Sequence, residues 1–440
     1  MVEYLCARSK QPNVSFSHEY SYSVGVSEAV NYHDSLLNSC RNRQFNPRFK
    51  DWSRYSPLDL ASVRRYRCRR TFYNNCYTLS AMSLYRFVWP LLASLEPETA
   101  HSAAILALKS GIIGALYGRG YDLSVLRTEV WGRSFPNPVG LAAGFDKNAE
   151  VPLQAHALGF GFVEVGGVTP MPQPGNPSPR LFRLMKDRAI INRLGFNSEG
   201  LEVVRARLAA VRARQSQCIV GVNIGKNKDS LDATADYVAS VKVLAPVADF
   251  LVINVSSPNT PGLRALQSVD ALVGLTRAVR EARQATGSAP PLLFKIAPDL
   301  DVADVTDICR VAVAERMDGI VVSNTTVARP SSLQSQHRGE MGGLSGAPLF
   351  NTSTQLLRGV YALTEGKLPL IGVGGIASAE QAYAKIRAGA SLVQLYTAFV
   401  FQGPGVIREI TQGLAALLQR DGFSSVVQAV GADHHAEGSR

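Results

Sequence analysis

Cysteine is scarce in this chain, and its spacing argues against several kinds of site. Only 6 of the 440 residues are cysteine, and no two of them form a CxxC pair. This density is far below that of a disulfide-stabilised scaffold, and it disfavours structural zinc and cysteine-ligated iron–sulfur clusters. We therefore expect a protein of a reducing compartment, without a metal site.

Long apolar runs and the usual nucleotide-binding loops are missing as well. No stretch reaches the roughly 18 uninterrupted apolar residues that a membrane-spanning helix needs. The sequence GVNIGKNK (residues 221–228) has neither the glycine spacing nor the Ser or Thr of a phosphate-binding P-loop, and no GxGxxG follows the first predicted strand. These absences disfavour both a spanning anchor and a P-loop.

The first 80 residues differ in composition from the rest. They hold one of the 37 glycines and 12 Lys and Arg against 6 Asp and Glu, which is +6 of the formal charge of +11. The excess charge therefore does not indicate a nucleic-acid-binding body. An arginine cluster at 64–70 in Ser-rich sequence is typical of organellar transit segments. Two alternatives to a transit segment carry equal weight for this basic leader. The leader would then be either a disordered tail or upstream sequence, with the working start at Met82.

Two apolar segments, residues 84–95 and 103–117, follow the leader. Each is too short to span a bilayer, and Tyr85, Trp89 and Tyr117 are amphipathic residues of the kind found at membrane interfaces. One interpretation is therefore a helical hairpin lying in the interface. The residues alone favour the other, a hairpin packed on the body of the protein.

From about residue 137, short β-rich runs alternate with helical patterns of 10 to 20 residues. Eight such units predict an α/β fold of the (β/α)8 TIM-barrel class, with a doubly wound open sheet as the alternative. Two further β-like pieces, RLFRL and AIIN, predict an excursion over the barrel mouth within residues 168–197. The eight predicted strands are 138–144, 160–167, 218–225, 250–257, 291–298, 319–325, 369–375 and 391–398. The predicted helices include 201–215, 232–245, 269–286, 302–316, 379–388 and 406–418.

Polar residues collect where the predicted strands end, and a barrel brings those ends together on one face. An asparagine amide presents a donor beside an acceptor, which complements the edge of an imide-containing ring such as a pyrimidine or an isoalloxazine. The asparagines concerned are Asn192, Asn223, Asn254, Asn259 and Asn324. Backbone N–H groups near Gly346, Gly375, Tyr396 and Thr397, with a helix starting near Ser378, predict a phosphate site.

Ten motifs in order resemble one known family. They are NPVGLAAGFDKN, GNPSPRLFRL, INRLGFNS, VNIGKNK, NVSSPNTPGLR, FKIAPDL, SNTTVARP, GGLSGAPL, IGVGGI and LVQLYTAFV. Residues 82–434 are thereby similar to the membrane-associated, quinone-reducing class of the dihydroorotate dehydrogenase family. The resemblance implies an FMN-containing barrel that oxidises dihydroorotate to orotate in pyrimidine biosynthesis.

The same resemblance implies roles for individual residues. Ser257 would be the catalytic base, where the cytosolic class has cysteine. FMN would be bound by Ala143, Gly144, Phe145, Asp146, Lys147, Gly167, Asn223, Asn254, Lys295, Ser323, Gly346, Gly375, Tyr396 and Thr397. Substrate would be bound by Lys147, Asn192, Arg193, Leu194, Gly195, Phe196, Asn254, Asn259, Asn324 and Thr325. Two positions depart from the family pattern: Gly167 lacks a hydroxyl that many members have there, and Ser323 replaces a common threonine.

The resemblance also implies that residues 82–120 form a helical hairpin with a tunnel for ubiquinone, ending near His101, Arg183 and Tyr396. The resulting division is a leader (1–80), this hairpin, a barrel (121–430) and a polar tail (431–440). A monomer attached peripherally to a bacterial cytoplasmic or mitochondrial inner membrane is implied. Two other functions are weighed against this one: an FMN barrel that reduces uracil-like rings with a nicotinamide donor, and a non-catalytic barrel that binds a phosphorylated ligand.

Overall fold

The computed structural model describes residues 85–118, 123–214, 217–260, 263, 266 and 268–437. The predictions for the basic leader at 1–80 lie outside these residues. The strands are β1 (Thr128–Val130), β2 (Arg133–Phe135), β3 (Val139–Leu141), β4 (Phe162–Val168), β5 (Leu181–Leu184), β6 (Ala189–Asn192), β7 (Val220–Ile224), β8 (Phe250–Asn254), β9 (Leu292–Ile296), β10 (Gly319–Val322), β11 (Gly343–Gly346), β12 (Leu370–Val373) and β13 (Leu392–Leu395).

The helices alternate with these strands through most of the chain. They are α1 (85–94), α2 (Pro97–Lys109), α3 (Ile112–Tyr117), α4 (Pro152–Ala157), α5 (Leu201–Ala213), α6 (Ala233–Leu244), α7 (Val269–Ala285), α8 (Val302–Ala314), α9 (Phe350–Leu363), α10 (Ala379–Arg387), α11 (Thr397–Gln402), α12 (Gly405–Arg420), α13 (Val426–Ala429) and α14 (Ala432–Glu437). Side-chain oxygens of Asp232, Asp301 and Ser378 accept backbone N–H groups at the starts of α6, α8 and α10.

Eight strands close into a barrel, in the order β3, β4, β7, β8, β9, β10, β12, β13 and back to β3. Every neighbouring pair is parallel. Seven of the eight predicted runs contain one of these strands, and the run 160–167 contains all of β4 except its last residue, Val168. The predicted (β/α)8 barrel is therefore confirmed and the open sheet is excluded. The two extra β-like pieces are β5 and β6, and β6 pairs with both β5 and β11 in an antiparallel three-stranded sheet.

Sequence patterns did not predict β1, β2, β11 or helix α9. The first turns of α9 carry Ser353 and Thr354, whose hydroxyls bond back to the Phe350 carbonyl oxygen at 3.2 and 2.6 Å. Such residues compete locally with helix formation and hide the helical pattern. Its buried face, with Leu357 and Val360, becomes visible only when the helix packs on the barrel.

One end of the barrel interior is filled by an aromatic cluster. Phe135 lies edge-on to Phe162 with ring centroids 5.6 Å apart, and Phe162 lies 6.0 Å from Phe250. Trp131 covers Phe250 at 5.6 Å and donates its indole N–H to the Asp318 carbonyl oxygen at 2.7 Å. Since close-packed rings leave no room for a ligand, a cavity inside the barrel opens at the opposite end.

The apolar segments before the barrel are helical, with one break that the sequence analysis did not predict. Helix α2 starts at Pro97, six residues before the second apolar segment, because the Glu96 carboxylate accepts the Thr99 N–H at 2.8 Å. The helix ends at Lys109, and Gly111, with φ 76°, separates it from α3. Within the described part of the chain, no helix is both long and apolar enough to cross a bilayer.

Candidate active site

The polar side chains of the barrel interior follow from strand geometry. Successive side chains on a strand point to opposite faces, so residues two apart share the interior. On four strands the first member of such a pair is apolar and joins the aromatic end, and the second is polar and lies one layer higher. The pairs are Phe162 with Glu164, Val252 with Asn254, Leu293 with Lys295, and Leu392 with Gln394.

A cavity of about 490 Å³ opens above this polar layer. Its size is that of small-molecule and cofactor sites. Most of the residues predicted for cofactor and substrate line it, so the structure brings together residues as far apart in sequence as Ala143 and Thr397. They are Ala143, Gly144, Lys147, Gly167, Asn192, Leu194, Gly195, Phe196, Asn223, Asn254, Ser257, Asn259, Lys295, Ser323, Asn324, Thr325, Gly346, Gly375, Tyr396 and Thr397.

Glu164 forms the centre of the polar layer, and it is fully buried. One of its carboxylate oxygens accepts Asn223 Nδ2 at 2.7 Å and lies 3.4 Å from Lys295 Nζ. The other oxygen accepts Gln394 Nε2 at 2.6 Å. A buried carboxylate with this many donors is compensated both in charge and in hydrogen bonds. The Lys295 ammonium is thereby fixed at the floor of the cavity.

The asparagines form a chain of hydrogen bonds along the cavity wall. Asn254 Nδ2 donates to Asn223 Oδ1 at 2.9 Å, and Asn324 Nδ2 donates to Asn254 Oδ1 at 3.2 Å. The Ser256 hydroxyl oxygen accepts Asn324 Nδ2 at 3.0 Å. Tyr237 holds the Asn254 backbone by donating its hydroxyl to the carbonyl oxygen at 2.7 Å. Each amide is therefore oriented before any ligand arrives.

Ser257 lies three residues after the end of β8, next to this chain of amides, and is 8% exposed. Its Oγ accepts the Asn259 N–H at 3.3 Å, and Asn259 Nδ2 donates to Asn192 Oδ1 at 3.3 Å. Among the described residues, no carboxylate or imidazole is hydrogen-bonded to Ser257 Oγ. The Ser257 hydroxyl therefore lies among side chains that can bind a planar amide. Since no described carboxylate or imidazole accepts its hydrogen, its proton can pass only to water or to the ligand.

The opposite end of the cavity is suited to an anion. A Cβ at Gly346, where φ is 96°, would lie 2.3 Å from the Arg188 carbonyl oxygen, and a Cβ at Gly375, where φ is 75°, would lie 2.5 Å from Phe350 Cα. Only glycine fits both positions, and it leaves the backbone accessible. Thr397 Oγ1 lies 2.9 Å from Ser345 Oγ, which adds a pair of hydroxyls. Gly346, Gly375 and Thr397 are among the residues from which the sequence analysis predicts a phosphate site.

Lys147 enters the cavity from the loop after β3. Burial lowers the pKa of its ammonium to about 8, and the nearby Glu98 carboxylate acts in the opposite direction. Glu98 lies on helix α2 and pairs with Arg180 at 2.9 Å, which in turn donates to the carbonyl oxygens of Pro174 and Asn176. The hairpin is thereby joined to a loop whose Asn176 side chain donates to the carbonyl oxygen of Asn259, a predicted substrate residue, at 3.3 Å.

A second cavity of about 360 Å³ lies between α2 and the barrel and shares Lys147, Leu194 and Tyr396 with the first. Phe145 stands edge-on to Tyr396 at 5.7 Å and to His101 at 5.3 Å, so it forms part of the wall. Burial, followed by the charge of Lys147, lowers the pKa of His101 to about 4. His101 is therefore a neutral imidazole at physiological pH.

Three predicted residues place their side chains outside the two cavities. The buried Asp146 carboxylate accepts the N–H groups of Glu150 and Val151 at 2.7 and 2.8 Å and holds the loop that carries Lys147. Arg193 pairs with Glu340 at 2.7 Å. Arg183 donates to the carbonyl oxygens of Leu92, at 2.8 Å, and Leu95, at the end of α1. These three side chains therefore hold neighbouring backbone groups or a charged partner in position, and they do not line either cavity.

Gly167, one of the two departures from the family pattern, lies against the ring of Phe196. A Cβ there would lie 2.4 Å from the ring of Phe196, and a Cβ at Gly225 would lie 2.9 Å from the same ring. Phe196 therefore occupies the space that a side chain at 167 would need. Gly167 and Phe196 both line the larger cavity.

Sequence reasoning missed Glu164, Gln394, Glu98 and Arg180. A signal for the first existed: Glu164 is a lone charge inside the apolar run FGFVEVGG, as Lys295 is inside PLLFKIAP. Two opposite charges on strands of one barrel predict a buried pair, because either alone would be too costly. Glu98 and Arg180 carry no such signal, since both lie in polar surroundings in the sequence.

Comparison with known proteins identifies the family. The sequence profile described as dihydroorotate dehydrogenase matches residues 125–418. The dihydroorotate dehydrogenase (quinone) of Rhodospirillum rubrum is 55% identical over 80% of this chain and 95% of its own length, and the mitochondrial one of Oryza sativa subsp. japonica is 52% identical over 79% and 80%. A crystal structure of DHODH from Eimeria tenella in complex with ferulenol aligns with a TM-score of 0.75 and 45% identity, covering 79% of this chain and 98% of that one. The resemblance inferred from the motifs is thus confirmed, and the chain belongs to the quinone-dependent class of the dihydroorotate dehydrogenase family.

Proposed function

We propose that the protein performs the reaction of its family with FMN in the larger cavity and with its quinone site beside the hairpin. As a quinone-dependent dihydroorotate dehydrogenase, it oxidises dihydroorotate to orotate in pyrimidine biosynthesis. The observation that carries the proposal is the single cavity that joins an asparagine-lined wall, a buried lysine and a glycine-rich anion site.

The donor set of this cavity suits FMN. The ribityl phosphate would lie against Gly346, Gly375 and Thr397, and the ring system would lie towards the layer that contains Asn223, Asn254 and Lys295. Gln394 Oε1 is buried without a hydrogen-bond partner among the described residues, which marks one place where a ring N–H can be received. When bound, FMN supplies the acceptor of a hydride from the substrate.

The substrate would be held by amides that are already oriented. Asn192, Asn254, Asn259 and Asn324 offer donors and acceptors to a cyclic ureide, and Lys147 offers positive charge to its carboxylate. Ser257 would take the proton from substrate C5. A serine at its ordinary pKa is a weak base, so the proton has to be relayed onward, and water at the cavity mouth can do this.

The quinone would be bound in the second cavity. His101 and Tyr396 line it, and both are neutral at physiological pH because burial lowers the pKa of His101 and raises that of Tyr396. Neutral groups can hydrogen-bond a quinone carbonyl without stabilising a charge. Arg183 would support this site by holding the end of α1.

Stopped-flow absorbance on the purified protein tests the proposal. Dihydroorotate mixed with the flavin-loaded enzyme should bleach the flavin absorbance, and a quinone mixed second should restore it. A protein that takes up no FMN, or whose flavin is reduced by a nicotinamide nucleotide and not by dihydroorotate, would refute the proposal and favour one of the two alternatives.

We further propose that the hairpin attaches the enzyme to a membrane surface. Five large apolar side chains on α1, α2 and α3 are more than half exposed. They are Phe87, Leu91, Leu106, Ile112 and Leu116. Apolar area on short helices gives peripheral attachment.

Glutamate at both Phe87 and Leu91 should weaken binding to lipid vesicles. The membrane would bury both side chains, and losing that burial costs about 3 kcal/mol or more. The partition coefficient measured by vesicle flotation should therefore fall on the order of 100-fold. Leu231→Glu is the matched control, because Leu231 is fully exposed on the barrel. Equal binding by the double variant and the control would contradict attachment through the hairpin. Flavin reduction by dihydroorotate should be unchanged in both.

A further inference from the structure

Lys385, on helix α10, is a fully buried lysine that the reaction described above does not use. Its Nζ donates to Ser353 Oγ at 2.9 Å and Thr354 Oγ1 at 3.0 Å, and lies 5.3 Å above the ring of Phe350. No carboxylate of the described residues lies within ion-pair distance of it. A buried cation without a counter-charge is destabilising unless something else compensates it.

The Ser353 hydroxyl, which accepts a hydrogen bond from the ammonium, connects it to the backbone at the floor of the anion site. The Ser353 hydroxyl shares its hydrogen between the carbonyl oxygens of Phe350, at 3.2 Å, and Gly374, at 3.1 Å. A Cβ at Gly374 would lie 2.8 Å from Ser353 Oγ. A Cβ at Gly375 would in turn overlap Phe350. The ammonium group therefore lies directly behind the Gly374–Gly375 loop, on the side away from the cavity.

Helix geometry makes this placement unfavourable for the protein alone. Ser353 and Thr354 belong to the first turns of α9, which starts at Phe350. The N-terminus of a helix already carries partial positive charge, so a cation near it is repelled. Burial also lowers the pKa of the Lys385 ammonium to about 7. Two hydroxyls, the Phe350 ring and the position of Lys385 in the last turn of α10 offset these costs only with dipoles and partial charges. An anion on the cavity side of the loop would supply a full opposite charge.

We propose that Lys385 is a positioning residue that supplies a buried counter-charge for a phosphomonoester dianion bound at the Gly374–Gly375 loop. It acts through the loop and touches neither flavin nor substrate. The inference rests on the proposed function, in which this dianion is the phosphate of FMN. Lys385 would then make the apoprotein discriminate FMN from riboflavin, which has the same ring system without the phosphate.

The test compares flavin affinities of Lys385→Met and Lys385→Gln apoproteins by quenching of flavin fluorescence. Methionine removes the charge at similar volume, and glutamine can still donate to the two hydroxyls. We expect both variants to lose FMN affinity by about tenfold or more, as for loss of one strong charge interaction, while riboflavin affinity stays within about twofold. Lys242→Met, at an exposed position of α6, is the control for net charge.

Thermal unfolding separates this role from a structural one. Removing an uncompensated charge should leave the melting temperature of the Lys385→Met apoprotein unchanged or raised, and should shrink the increase that FMN produces. Equal loss of FMN and riboflavin affinity, or an unchanged preference for FMN, would overturn the inference. Wild-type protein that binds neither flavin would instead overturn the proposed function.

Discussion

Replacing Ser257 with alanine is expected to slow flavin reduction by dihydroorotate by about 10²- to 10⁴-fold, the usual contribution of a positioned base. The flavin spectrum should be retained, because the asparagine chain and Lys295 do not depend on the Ser257 hydroxyl for their hydrogen bonds. Reduction monitored by stopped flow, with saturating dihydroorotate and no quinone, measures the step directly.

The neighbouring serine provides a matched control. Ser256 Oγ donates to Asn254 Oδ1 at 3.2 Å and accepts Asn324 Nδ2, so Ser256→Ala should disturb the orientation of these amides. Its effect should fall mainly on the substrate concentration needed for half-maximal reduction. If Ser257→Ala reduced flavin at the wild-type limiting rate, the base would have to be another group.

Reoxidation by a quinone offers an internal check on the same variant. The proposed quinone cavity is lined by His101 and Tyr396, and Ser257 lines only the larger cavity. Chemically reduced Ser257→Ala should therefore be reoxidised at the wild-type rate. Impaired reoxidation would indicate a general distortion of the barrel mouth and not the loss of a base.

The strands and the residues at their ends were predictable from sequence because parallel β-strands buried on both faces are nearly continuous apolar runs. The polar residues that interrupt or follow such runs, such as Asn254 and Lys295, must then lie inside the barrel or at its mouth. Closure of the barrel converts a linear pattern into a shared cavity, and this step needs only the count of eight units.

Contacts made by polar loops and by the hairpin could not be predicted in this way. The pairing of Glu98 with Arg180 joins residues 82 positions apart. Both lie in polar stretches of the sequence, where neither charge is unusual. Phe196 fills the space above Gly167 because its loop folds back over β4, which no periodicity encodes. The break at Gly111 depends on a positive φ that a glycine permits but does not require.

The buried pair of Glu164 and Lys295 carries the largest expected effect on stability. Glu164→Gln should lower the free energy of unfolding of the flavin-free protein by about 3–5 kcal/mol, because it leaves the Lys295 ammonium buried without a counter-charge. The hydrogen bonds themselves can be retained. Gln394 Oε1 has no partner among the described residues, so turning that amide over presents an acceptor to the new amide group at position 164.

A double-mutant cycle isolates the charge interaction. Lys295→Met removes the cation, and the combined Glu164→Gln, Lys295→Met protein contains neither charge. We expect the combined variant to recover most of the stability lost in Glu164→Gln, measured by urea unfolding followed with tryptophan fluorescence and circular dichroism. Additive losses, or a loss below about 1 kcal/mol in Glu164→Gln, would show that the two groups are not energetically coupled. Coupling would instead mean that the Glu164 carboxylate holds the Lys295 ammonium at the floor of the cavity. Any ligand bound above it would then meet an ammonium group whose position is already fixed.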